Sequence, residues 1–196
     1  MRLLFAALWA IATPATAAPF ADRLVAAAHE RLKHQVTYDP AYVVLKYPGG
    51  DVPAHTGVCT DVIVRAYRTL GIDLQKRVHE DMRAHFKLYP SHWGAARPDR
   101  NIDHRRVPNL AVFFRRHGKS LPVTRQGSSY RPGDMVTWNL KMPGRGWLPH
   151  IGIVVDRKSR DGKRPLIVHN IGAGPVLEDM LFDYKITGHY RYQPKR

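Results

Sequence analysis

The 196-residue chain carries 31 Lys and Arg against 16 Asp and Glu, a formal charge of +15, and a single cysteine. One thiol excludes an internal disulfide, and no apolar run beyond residue 17 reaches the ~20 residues that a membrane-spanning helix needs. The length suits one domain with a real core, and so cationic a surface draws polyanions towards it, although basic charge serves solubility equally well.

Arg2, the apolar run Leu3 to Ala12 and the small residues Ala15-Thr16-Ala17 read as a secretory signal cleaved after Ala17. Residues 18–196 are then expected to form a single domain acting in a bacterial periplasm or outside the cell. In that compartment nucleic acid is not an expected partner, whereas peptidoglycan or another anionic wall component is. A monomer is expected.

Phe20, Leu24, Ala28, Leu32 and Val36 recur every fourth position, with Val25 widening the stripe, and predict an amphipathic helix. An extended piece over Tyr42 to Tyr47 runs into the turn Pro48-Gly49-Gly50-Asp51. Val62, Ala66 and Leu70 keep helical spacing as far as Gly71, with Thr56 the candidate N-cap, so Cys59 falls in the first turn. There the unpaired N–H groups and the helix dipole favour a thiolate.

A second helix is predicted from Asp73 to Phe86, followed by a long loop from Lys87 to Arg106, a length that marks function more often than structure. Pro108 and Gly118 bracket another helix. The remainder reads as strands over 134–138, 151–155, 166–168 and 188–192. Helices first and strands later define an α+β domain with N-terminal helices packed on an antiparallel β-sheet.

A thiol nucleophile needs an imidazole to take and return its proton and a polar group to fix that imidazole's tautomer. Cys59 opens a helix, His150 begins a strand, and His169 and Asn170 end the next one. The start of one antiparallel strand lies beside the end of its neighbour, so Cys59, His150 and His169 form a candidate triad. Asn170 is the alternative orienting residue, and because neighbouring strand residues point to opposite faces, only one of the two can serve.

These residues resemble the NlpC-type cell-wall peptidases, a papain-like superfamily of secreted bacterial enzymes. His150-Ile151-Gly152-Ile153 is similar to the family's His-Val-Gly-Ile strand, Val168-His169 to its third polar position, and Pro132-Gly133-Asp134-Met135-Val136 to the Pro-Gly-Asp-Leu-Val preceding the histidine. Tyr47, twelve residues before Cys59, matches a tyrosine whose hydroxyl assists the oxyanion. The likeness runs from Tyr47 to about Asn170; Val58-Cys59-Thr60-Asp61 replaces the usual Asp-Cys-Ser-Gly, and Asp73 to His117 is a long insertion. The resemblance implies a papain-like NlpC-type fold and an exported cysteine hydrolase cleaving peptide or amide bonds of peptidoglycan. An amidase or acyltransferase on another acyl substrate and a non-catalytic wall-binding module are the alternatives.

Other residues admit two uses. Asp61 could place a substrate amine or simply complement the helix dipole, and Asp51 could line the cleft or close a turn. Arginines of the 101–106 segment could hold a substrate carboxylate. Trp93 and Trp147 are candidate cleft walls, and Trp138 belongs to a core strand. His79, Asp81 and His85 do not share one helix face, so neither metal nor other cofactor is expected.

Overall fold

The computed structural model describes residues 18–141 and 146–194, so the signal predicted over 1–17 lies outside the described residues. Helix α1 (Phe20–Arg31) is followed by a two-residue strand β1 (Thr37–Tyr38) that pairs in parallel with β2 (Thr56–Gly57). Then come α2 (Cys59–Thr69), α3 (Leu74–His85) and α4 (Val107–His117). Strands β3 (Lys119–Ser120), β4 (Met135–Asn139), β5 (Pro149–Lys158), β6 (Pro165–Asn170), β7 (Pro175–Glu178) and β8 (Lys185–Arg191) form one antiparallel sheet in the order β3-β8-β4-β5-β6-β7. Among the described residues no helix is long and apolar enough to cross a membrane.

Alternation along the strands divides the interior in two. Met135, Ile151, Ile153, Val155 and Val168 meet Leu24, Ala28, Val62, Ile63, Ala66 and Phe114 of the helices. Their in-between neighbours Val136, Trp138, Val154 and Ile167 pack on the other face with Tyr130, Met180 and Leu181, and Trp138 donates its indole N–H to the Leu181 carbonyl at 3.0 Å. This period of two is what a sheet buried on both faces requires.

Three expectations change. The first helix stops at Arg31, short of Val36, and the chain turns so that Thr37 N–H can bond His55 O at 2.8 Å and start β1. The piece expected to be extended over 42–47 joins no sheet. It is tied from outside by Asn101, which accepts from Leu45 N–H at 3.0 Å, and the residues just before it by Arg105, which donates to the Asp39 and Ala41 carbonyls. Thr56 sits in β2, and Val58 is the N-cap of α2, held there by the Asp61 carboxylate accepting the Val58 N–H at 2.7 Å. Asp73, by contrast, caps α3 as its sequence position suggests, accepting from Lys76 N–H at 3.2 Å.

Candidate active site

Cys59 is the first residue of α2, and the backbone N–H groups of Ile151, Thr60 and Cys59 itself favour negative charge on its sulfur. Ile151 follows His150 on β5. His150 stands opposite Trp138 in the β4–β5 register, with ring centroids 6.0 Å apart. Cys59 thus lies against the backbone at the start of β5, one residue after His150. Cys59 is 5% exposed, His150 2% and His169 0%.

The imidazole is held by a relay. His150 Nε2 and His169 Nδ1 are 2.9 Å apart, and His169 Nε2 lies 3.0 Å from Glu178 Oε2 on β7. A carboxylate only accepts, so His169 carries its proton on Nε2 and leaves Nδ1 to accept from His150 Nε2–H. The lone pair of His150 is therefore on Nδ1. Gly152 makes the approach of the two strands possible. A Cβ there would lie 2.5 Å from Ile167 Cγ2 and 3.1 Å from His169 Cβ.

Burial sets the charge state. It pushes the Cys59 thiol up to about 12, against the lowering effect of the Ile151 N–H, with the Asp61 charge raising it further. Burial also takes His150 down to about 3, helped by the charge of His169. Desolvation lowers His169 as well, opposed by Glu178. The thiolate expected from the helix dipole is thus overruled by desolvation, and the resting pair is a neutral thiol and a neutral imidazole.

Asn170 turns away from the histidines. Its amide donates to Gly57 O at 3.4 Å and its oxygen accepts Gly172 N–H at 3.0 Å, tying the end of β6 to the chain just before Cys59. The side chain that contacts His150 is His169. Glu178 is a residue that sequence reasoning missed, because β7 follows the run Gly172-Ala173-Gly174-Pro175 and is too short to show alternation.

Tyr47 does not join this group. Its ring meets His79 edge-on at 5.2 Å with the Arg100 guanidinium 5.8 Å from its centroid. The cause is the turn that follows it: Gly49 N–H bonds Asp73 Oδ2 at 2.7 Å, Gly50 N–H bonds Gln75 Oε1 at 2.9 Å, and Gln75 donates back to Lys46 O at 3.0 Å. These bonds hold Tyr47 at the start of α3. The tyrosine near Cys59 is Tyr38, paired with Gly57, whose hydroxyl is pushed up to about 12, first by burial and further by its neighbours Cys59 and Asp61.

The two-way residues resolve towards structure. Asp61 is 2% exposed and receives Arg105 through Nε at 3.0 Å and Nη2 at 3.0 Å, so it has no free oxygen edge for a substrate amine. Arg105, equally committed, is not a substrate clamp. Asp51 pairs with Arg65 at 3.0 Å and Arg68 at 2.6 Å on α2. Asp81 joins α3 to α4 through Arg116 at 2.7 Å and His117 at 2.9 Å, which occupies the carboxylate of the His79, Asp81, His85 set. Asp134 is fully buried and receives His189 at 2.8 Å and Arg191 at 2.7 Å.

Helices on one face of an antiparallel sheet, with a cysteine opening one helix and a histidine pair on the strands, make up an NlpC-like, papain-like fold. NlpC1 from Trichomonas vaginalis has this fold, with a TM-score of 0.50 and 15% identity over 92% of the chain. An NLP/P60 family protein, described as similar to lipoprotein, from Staphylococcus aureus subsp. aureus Mu50 aligns over 94% at a TM-score of 0.43 and 13% identity. The chain spans about half the length of both, 47% and 46%. Within this fold the chain belongs to the family described as Domain of unknown function (DUF1287), whose sequence model matches residues 25–192. The uncharacterized protein YijF of Escherichia coli (strain K12) is 53% identical over 165 residues, 84% of this chain and 78% of that protein.

Proposed function

We propose that the chain is an exported cysteine hydrolase that cleaves peptide or amide bonds of bacterial peptidoglycan. The observation that carries this reading is the relay Glu178–His169–His150, which leaves the lone pair of His150 on Nδ1, in the residue that precedes Ile151, whose backbone N–H lowers the Cys59 pKa. A chain of buried hydrogen bonds that fixes one imidazole tautomer is what a thiol nucleophile needs of its base in acyl transfer. The signal-like leader, the charge of +15 and the NlpC-type fold support the wall as target.

The reaction begins from neutral partners. As the sulfur attacks the substrate carbonyl, its proton passes to His150 Nδ1 and a carbon–sulfur bond forms. The oxyanion is met by backbone N–H groups at the start of α2, Cys59 first among them, with the Tyr38 hydroxyl in the role expected of Tyr47. His150 then delivers the proton to the departing amine as the carbon–nitrogen bond breaks. Water, deprotonated by the same nitrogen, splits the thioester to a carboxylate and restores the thiol. His169 and Glu178 position the base and offset its positive charge.

Purified peptidoglycan incubated with the protein is expected to release new muropeptide fragments, and Cys59→Ala to release none while still sedimenting with the wall. Unchanged digestion by Cys59→Ala sinks the proposal. The burial of Cys59 and its raised pKa favour a second reading, a wall-binding module on the same scaffold, for which wild type and Cys59→Ala bind alike and neither releases fragments.

A further inference from the structure

The insertion between α3 and α4 builds a pocket of about 760 Å³ walled by Arg97, Arg100, Arg106, Trp93, Tyr42 and Asp99. Its frame is a polar network: Tyr42 donates to Asp99 at 3.0 Å, and Asn101 donates to Tyr42 at 2.7 Å and accepts from Leu45 N–H. Asp99, the one acid in the wall, also accepts Asn101 N–H at 2.8 Å. Among the described residues neither Arg97 nor Arg100 has a carboxylate partner, and Arg106 reaches only Asp103 at 3.5 Å. The Arg106 guanidinium lies 4.4 Å from the Trp93 ring centroid, which orients its plane.

Three guanidinium groups in one concave wall repel one another and together favour an anionic ligand. Sequence neighbours of the pocket residues tie it to the elements of the candidate active site at two points. Arg105, next to Arg106, holds Asp61 with its side chain and accepts the Thr60 hydroxyl with its carbonyl at 3.0 Å. At the other end His92, beside Trp93, packs at 4.8 Å on Trp147, three residues before His150.

We infer that this pocket is an anion subsite that takes a carboxylate-bearing arm of the acyl substrate, recognised by Arg97, Arg100 and Arg106. The inference rests on the hydrolase reading for its place in the reaction, but its test needs binding alone. In a Cys59→Ala background, calorimetric titration with an acetylated diglutamate peptide amide is expected to saturate, with its diglutamine counterpart about tenfold weaker or worse. Arg97→Gln with Arg100→Gln, both exposed and so without effect on the melting temperature, is expected to abolish that preference. Arg160→Gln, an exposed arginine on the β5–β6 turn, is expected to leave it intact.

Equal binding of the two peptides, or equal losses from Arg160→Gln and the pocket pair, overturns the subsite. Inorganic phosphate binding more tightly than the diglutamate peptide overturns the carboxylate assignment. If binding behaves as expected while peptidoglycan stays intact with wild type, the hydrolase reading fails and the subsite stands.

Discussion

At the scale of single residues, the proposed chemistry turns on the Cys59 proton. Burial keeps the Cys59 thiol and the His150 imidazole neutral, so in the proposed reaction deprotonation accompanies attack and does not precede it. Thiolate ultraviolet absorbance, taken as a difference against Cys59→Ala, is therefore expected to stay absent from about pH 5 to about pH 9. A thiolate already present near pH 5 would mean a preformed ion pair. Glu178 acts through two imidazoles, and Glu178→Ala is expected to lower kcat/KM about tenfold while Glu178→Gln, whose amide oxygen still accepts from His169, loses less. The pairing of His150 with His169 was legible in the sequence because the two lie near the start of β5 and the end of β6, its antiparallel neighbour. Glu178 was not, since its position depends on a short hairpin, and Tyr47 misled because hydrogen bonds to Asp73 and Gln75 draw its turn onto α3.

At the scale of elements, the start of α2 is fastened at several points. Asp61 caps the helix and clamps Arg105, which in turn holds the 39–41 segment beside the site. Removing one member of a buried ion pair leaves the other charge uncompensated, so Arg105→Ala is expected to cost about 3–5 kcal/mol in urea unfolding. A loss below about 1 kcal/mol would show that the pair is replaceable by water. Gly152→Ala pushes β5 from β6 at the histidine pair and is expected to cost about 1–3 kcal/mol, with a larger proportional loss of turnover than of wall binding. Periodicity recovered α2, α3, α4 and the central strands, since these bury continuous faces. The bounds of β5 and the fate of 42–47 escaped it, because the first depends on pairing with both neighbours and the second on side chains distant in sequence.

At the scale of the molecule, the buried histidines make stability depend on pH. His150 titrates near about 3 and His104 near about 4, both lowered by burial, and His169 is lowered too. The unfolded chain takes up these protons from about pH 6.5 downwards, so the folded state loses stability as pH falls from there towards about 4. Asp103, raised by burial to about 6, works in the opposite direction in the same window but is one group against three. Asp81, held at about 2 because hydrogen bonds from Arg116, Tyr89 and His117 outweigh its burial, adds a further loss below about pH 4. Urea midpoints are thus expected to be lower at about pH 5 than at about pH 7.5, and the gap to narrow in His104→Asn; equal midpoints would contradict the buried neutral histidines. The central claim is that Cys59 forms a thioester which water resolves, and mass spectrometry of peptidoglycan digested in heavy-oxygen water tests it most directly. The account predicts new fragments whose fresh carboxylates carry the heavy oxygen with wild type and none with Cys59→Ala; the same fragments from both proteins would contradict it.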